Sequence, residues 1–348
     1  MIADREVTND CIAIAFYGVT ANAAALGSFY KMLIEWFNSV ECPPDKLSVE
    51  GPGFSGKIVG FSRTHTRLQR QGFSGVTSID VFATLPNGEI PVTDWWAKSY
   101  LNLQYKPCFV LAARRSVTSL EDDRLARLVK GCVSLLAPVY GIGYRRDHDK
   151  GPIWYAIGLN YSRTAEEAVR MSEEKTAISR WGDRAMGKEV YRKGFLRDVY
   201  PYNYLSRPHL TRRVGNQSLQ DWIASEPSRG TLARLDDCMT LWKVPSRRID
   251  RLRKELRSTG VIFDWKTYPV DEEEKDPYIA AVTLLSIIPC TKCGRALDLA
   301  DIRVPRGEDE TQFLANTLRK RGWVITFERG ITPVCPRCSS DDAPNQRA

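Results

Sequence analysis

Two Cys-x-x-Cys pairs, Cys290/Cys293 and Cys335/Cys338, constrain this chain more than any other feature. Each pair can direct both sulfurs at one point, and together they offer four thiolates, the tetrahedral set of a structural zinc site. Four thiolates leave no open coordination position, so the pattern argues for a structural Zn2+ and against zinc catalysis. Residues 271–348 therefore read as a zinc-ribbon module. The long interval between the pairs has content: 311–321 reads as a helix and 322–327 as a strand. The other five cysteines, Cys11, Cys42, Cys108, Cys132 and Cys238, are scattered. Several sit in apolar surroundings, where a reduced thiol packs as a small hydrophobe. This is not the pattern of a secreted disulfide framework, and it implies a cytoplasmic protein.

The 348 residues are enough for two or three domains at ~100–200 residues each. With 43% hydrophobic and 26% charged residues, the composition is that of a soluble globular chain. The formal net charge of +8 is unevenly placed. Residues 1–150 hold 17 Lys+Arg against 15 Asp+Glu, residues 151–270 hold 22 against 14, and residues 271–348 hold 11 against 13. The middle of the chain thus carries the excess, and a basic patch there attracts an acidic protein or a nucleic acid. The ribbon is acidic, which weakens a DNA-reading role for it, because phosphate neutralisation dominates such binding. The longest uncharged stretch, 11–30, contains Asn22, Thr20, Ser28 and two glycines. It lacks the ~18 consecutive apolar residues of a membrane span. Asp4, Glu6 and Asp10 stand where a signal peptide needs positive charge.

Residues 11–17 read as a buried strand and 24–39 as a helix, stopped by Cys42-Pro43-Pro44. Strands follow at 57–61, 78–84 and 99–113, with a turn at Pro86-Asn87-Gly88. Thr118 and Glu121 form a capping-box pattern for a helix to Leu136. Residues 140–144 and 153–159 read as a strand pair across the charged turn 145–151, and 164–195 as more helical. Ser218 can cap a helix bearing Leu219, Trp222 and Ile223; Ser246 can cap another bearing Ile249, Leu252 and Leu256, with Gly260 at its end. The acidic run 271–276 is the best linker, and the hydrophobic run 279–288 reads as a strand. The fold class is α+β: a mixed or antiparallel sheet with helices packed on it, plus the small zinc-ribbon module. The segments are 1–162, an α+β domain; 163–270, a basic region continuing the same body; and 271–348.

Catalytic motifs fail on inspection. Gly51-Pro-Gly-Phe-Ser-Gly56-Lys57 matches most of a P-loop, but Ile58 replaces the Mg2+-binding Ser/Thr and the flanks are not strand and helix. A glycine-rich turn entering a strand is the better reading. The three histidines, His65, His148 and His209, form no zinc-helix motif, and His148 with Asp147 and Asp149 reads as a solvated turn. No G-x-S-x-G elbow occurs, and the chain is expected not to be an enzyme. Two clusters are candidates for partner binding. Tyr200, Tyr202 and Tyr204 have side chains that suit protein hot spots and buried cores alike. Arg248, Arg251 and Lys254 crowd a short basic helix with apolar positions inward, which serves either as a phosphate-contacting helix or as a solvated face.

Several motifs between Tyr140 and Asp264 carry a family likeness: Tyr140-Gly-Ile-Gly-Tyr144, Gly151-Pro-Ile-Trp-Tyr155, Leu196-Arg-Asp-Val-Tyr-Pro-Tyr-Asn-Tyr-Leu205 and His209-Leu210. This region resembles bacterial immunity-type proteins, the immunity protein 52 family and related type VI immunity families. The resemblance implies an α+β protein that neutralises a cognate toxin by binding it, without catalysis. The expected function is accordingly a non-enzymatic protein-binding module with an acidic partner, a toxin under the resemblance, and a structural zinc site. The alternative is a nucleic-acid-binding protein using the basic segment 196–262. Chelation is expected to unfold residues 280–340 and spare the rest; fresh protein holding less than about half an equivalent of zinc overturns the metal assignment.

Overall fold

A computed structural model describes residues 7–86, 88, 90–104, 106–159, 172–182, 190–264, 266–267, 278–280, 287–289, 296–298, 303–305, 310–326 and 332–340. The chain divides into two compact units, Met1–Tyr268 and Pro269–Ala348. Among the described residues no helix is long and apolar enough to cross a membrane.

The first unit is built on one antiparallel sheet. Its elements in chain order begin with β1 (Asp10–Tyr17), α1 (Ala23–Ser39), β2 (Lys46–Gly51), β3 (Phe54–Ser55), β4 (Val59–Gly60) and α2 (Phe61–Gln71). Next come β5 (Ser78–Thr84), β6 (Trp95–Asn102), β7 (Cys108–Arg114), α3 (Asp123–Leu136), β8 (Tyr140–Asp147), α4 (Pro152–Ala156) and α5 (Ser172–Arg180). The unit ends with β9 (Tyr202–Ser206), α6 (Arg207–Leu210), β10 (Arg213–Val214), β11 (Gln217–Ser218), α7 (Leu219–Ala224), β12 (Thr231–Arg234), β13 (Met239–Lys243) and α8 (Ile249–Arg257). The sheet order is β12-β13-β9-β8-β1-β7-β6-β5-β2-β3, with β4 on β2. The fold class is α+β.

Strand alternation sorts β1 into two cores. Ile12, Ile14 and Phe16 join α1 and α3 on one face of the sheet. Cys11, Ala13, Ala15 and Tyr17 face the other side, with Ile153 and Ala156 of α4, Leu219, Trp222 and Ile223 of α7, and Leu252 and Leu256 of α8. A central strand covered on both sides has to be apolar at every position, which is why 11–17 is so readily recognised. In β8 the alternation has a second use. Tyr140, Ile142 and Tyr144 lie in the α4 core, whereas Gly141 and Gly143 lie opposite Phe16 and Tyr202 on the α1 side. A Cβ on Gly141 would stand 2.5 Å from Phe16 Cδ1, and one on Gly143 would stand 2.9 Å from Tyr202 Cβ. The glycines leave the volume that the two aromatic side chains fill.

Several local expectations change. Residues 57–61 supply only the short β4 before α2 begins. That helix buries Leu68 alone, so its apolar periodicity is weak in the sequence. Residues 99–113 divide between β6 and β7, reversing where Lys106 takes a positive φ of 56°. The capping box at Thr118 and Glu121 does not form. α3 begins at Asp123, and the N-cap is Asp122, whose carboxylate accepts the Arg124 N–H while Thr118 Oγ1 donates to it. Residues 153–159 are not a strand: Gly151 in the left-handed region and Pro152 at the first helical position start α4 instead. Ser218 does cap α7, but Ser246 opens a 3-10 turn and makes no side-chain cap for α8.

In the second unit, β14 (Tyr278–Ala280) pairs with β17 (Arg303–Pro305), and β15 (Ile287–Pro289) pairs with β16 (Ala296–Asp298). Helix α9 (Glu310–Lys320) precedes β18 (Val324–Thr326), which pairs with β19 (Thr332–Val334); α10 (Pro336–Ser340) follows. Gly322, with φ 80°, closes α9 as the Trp323 N–H donates to the Leu318 carbonyl, so the strand starts later than 322. The linker run 271–276 lies outside the described residues.

Gly141→Ala is expected to destabilise the first unit by ~1–3 kcal/mol through overpacking against Phe16. Urea denaturation followed by tryptophan fluorescence measures it.

Candidate functional site

The first unit contains a cleft of about 850 Å3 on the α4 side of the sheet. Its lining includes five cations, Arg146, Arg197, Arg253, Arg257 and Lys266, against three carboxylates, Glu174, Asp198 and Asp264. Tyr155, Trp181, Tyr200 and Phe263 supply aromatic surface.

Arg197 organises the interior of this cleft. It is 8% exposed. Its backbone is set by a short parallel bridge, in which Leu196 N–H donates to the Val261 carbonyl and Phe263 N–H donates to the Leu196 carbonyl. The Arg197 N–H donates to Tyr140 Oη at 3.1 Å. Its guanidinium donates from Nη1 to Tyr17 Oη and the Ala156 carbonyl, both at 3.1 Å, and from Nη2 to the Tyr155 carbonyl at 2.7 Å. Those carbonyls end α4, where the exposed negative end of the helix attracts a cation, although the Tyr155 carbonyl also accepts from the Gly158 N–H at 3.3 Å. Tyr17 Oη in turn donates to the Ala156 carbonyl at 2.9 Å. The guanidinium carbon lies 4.1 Å from the Tyr155 ring centroid and 5.1 Å from that of Trp181. Trp181 reaches it because Gly182 and Gly158 let two backbones nearly touch: a Cβ on Gly158 would be 2.3 Å from Gly182 Cα.

The remaining cations are held to different degrees. Arg146 stacks on Tyr155 at 4.4 Å and pairs with Glu174 at 2.7 Å. Arg253 pairs with Asp198 and Asp250, each at 2.7 Å. Arg257 and Lys266 are exposed.

Tyr200, Tyr202 and Tyr204 are all buried, and of the three only Tyr200 meets the cleft. Tyr202 and Tyr204 point into the α1-side core, as adjacent same-face positions of β9 must. Tyr200 lies in the opposite core and meets the cleft, with its hydroxyl 2.6 Å from that of Tyr155. Sequence reasoning found the basic helix but not the face of it that meets the cleft. Arg248, Arg251 and Lys254 do not line the cleft; Arg253 and Arg257, one helical turn apart, do. Arg251 is occupied by Glu255 at 2.7 Å and Glu226 at 3.8 Å. Arg197 stands inside the Leu196–Leu205 motif, but nothing in its charge sets it apart from the other arginines of a basic stretch.

Of the four expected zinc ligands, Cys290 and Cys293 lie outside the described residues. Cys335 is buried directly after β19, and Cys338 follows in α10 with its N–H donating to the Cys335 carbonyl at 3.0 Å. The P-loop-like segment is the β2–β3 turn, where a Cβ on Gly51 would stand 2.8 Å from the Gly75 carbonyl oxygen. His148 is not in a solvated turn: it is buried against the Trp95 ring at 4.8 Å. Burial and the nearby Arg114 lower its pKa. His209 stacks on Tyr140 at 4.9 Å, and burial, with Arg212, pushes its pKa down to about 3. Burial pushes the Cys11 and Cys108 thiols up to about 12, which makes them inert.

No family model and no curated protein matches the chain. Among solved structures the chain is similar to the Pseudomonas aeruginosa T6SS protein PA0821, at 13% identity and a TM-score of 0.47, over 72% of this chain and 73% of that chain.

Because folded His209 stays neutral to about pH 3 while an unfolded histidine titrates near its ordinary 6.5, the unfolded state binds the extra proton between those values. Stability is therefore fully present above pH 6.5 and falls as the pH drops toward 3. His209→Gln is expected to flatten that part of the stability–pH curve, measured by denaturation midpoints at successive pH values.

Proposed function

We propose that this protein is a non-enzymatic binding module that recognises an acidic protein partner through the basic, aromatic-lined cleft of its first unit. The excess of cations over carboxylates in the cleft carries this reading. Cations steer an acidic partner toward the cleft, and Arg, Tyr and Trp are the side chains that dominate protein interfaces. The resemblance of 140–264 to immunity-type proteins makes a toxin the partner, and Arg146, Tyr155, Arg197 and Tyr200 all fall within that region. The acidic module carries a structural Zn2+ on Cys290, Cys293, Cys335 and Cys338, which contributes folding energy rather than chemistry. A reducing cytoplasmic compartment suits these thiolates and the buried free thiols Cys11, Cys108 and Cys132.

Immobilised full-length protein is expected to retain an acidic protein from native extract, resistant to nuclease and released by salt. The exposed double change Arg257→Glu and Lys266→Glu should reduce capture at least tenfold, while Arg248→Glu with Lys254→Glu should leave it within about twofold. Retained material that disappears with nuclease, or that follows the second pair and not the first, supports nucleic-acid binding by the outer face of α8 and overturns the proposal.

A further inference from the structure

We propose that the floor of the cleft is a small-molecule site for an oxyanion carried on a planar ring, with Arg197 as its anchor. The inference rests on the cleft being the recognition site and adds the chemical class that its interior accepts.

Among the described residues, three of the five guanidinium N–H bonds of Arg197 find an acceptor. A guanidinium carries five N–H bonds and stays protonated at any pH the protein meets. Arg197 places two of them, from Nη1, on Tyr17 Oη and the Ala156 carbonyl, and one, from Nη2, on the Tyr155 carbonyl. Nε–H and the second Nη2–H have no acceptor among the described residues. No carboxylate among them pairs with Arg197 either; the adjacent Asp198 turns Oδ1 to Arg253 and to the Val199 N–H. Burying a charge without a counter-ion is costly, and helix-end carbonyls and ring faces offset only part of that cost. A carboxylate or phosphate accepts two N–H bonds of one guanidinium side by side, which is the recognition Arg197 is equipped to complete.

The surroundings specify the remainder of the ligand. Trp181 and Phe263 meet edge to face with centroids 6.0 Å apart, and with Tyr155 and Tyr200 they give the cleft apolar walls beside Arg197. The volume of about 850 Å3 falls within the ~300–1,000 Å3 range of small-molecule sites. A free inorganic anion would leave those walls unused, and an uncharged ring would leave Arg197 unpaired. The matching class is an aromatic carboxylate or a phosphate ester of a ring-bearing molecule.

Calorimetric titration of the full-length protein with four probes tests this: benzoate, 5′-AMP, adenosine (ring without charge) and inorganic phosphate (charge without ring). Benzoate or 5′-AMP should bind at one site with a dissociation constant below about 1 mM. Whichever binds identifies the source of the oxyanion. Adenosine and phosphate should each bind at least tenfold more weakly than the better of the two. Arg197→Lys keeps the charge but loses the fork, and should weaken binding at least tenfold. If that variant does not fold, Trp181→Leu, which removes a wall and leaves the α4 carbonyl contacts, should weaken binding of the same probe by at least fivefold. No binding below about 1 mM, adenosine binding as tightly as 5′-AMP, or unchanged binding by the folded variant would overturn the proposal. The titration uses no protein partner. Its failure with capture intact removes the oxyanion site alone, and loss of capture with the titration intact removes only the acidic-partner reading.

Discussion

One buried guanidinium ties together most of what makes the first unit distinctive. The Arg197 guanidinium joins the central strand β1 through Tyr17 and the end of α4 through two carbonyls, while the Arg197 main-chain N–H holds the neighbouring strand β8 through Tyr140. An arginine can do this because its donors diverge in one rigid plane, so that one side chain reaches several acceptors at once. The Ala156 carbonyl also accepts from Tyr17 Oη and the Tyr155 carbonyl from the Gly158 N–H, so the guanidinium adds to bonds that already close the end of α4. The same group forms the interior of the cleft. Core packing and the cleft lining therefore meet at one residue, and the tyrosines around it serve as hydrogen-bonding core as much as hydrophobic filling.

The sheet beneath this network succeeds because its two faces were given different textures. On the α4 side β8 presents Tyr140, Ile142 and Tyr144; on the α1 side it presents two glycines that accommodate Phe16 and Tyr202. A strand alternating large residues with none at all is a means of packing thick aromatic layers from neighbouring strands. The Gly158–Gly182 approach plays the same role at the cleft wall, bringing Trp181 within reach of Arg197. In both places the missing Cβ determines where an aromatic ring can stand.

The parts legible in the sequence were those governed by local physics. The apolar run 11–17, the helices at 24–39, 219–224 and 249–257, and the glycine-rich turn at 51–57 follow from periodicity, capping and backbone freedom. Illegible parts depended on competition between local signals. Gly151-Pro152 overrode the strand-like run after it, Asp122 displaced Thr118 as the cap, and α2 buries too little to announce itself. The candidate site was half legible. The basic helix stood out by charge, but the face that matters, Arg253 and Arg257, differs by a small rotation from the residues singled out. The tyrosine cluster stood out by composition, yet its members belong in two opposite cores.

By itself the sequence determined the class of the fold, the concentration of positive charge in its middle third, and the two Cys-x-x-Cys pairs, because alternation, charge and spacing are properties of neighbouring residues. Only the tertiary structure decided that Arg197, Arg146, Arg253 and Arg257 share one cleft with Trp181 and Phe263, and that the tyrosines are not its outer surface. Burial and convergence arise when strands distant in the chain pair with one another, and no local window of residues contains that information.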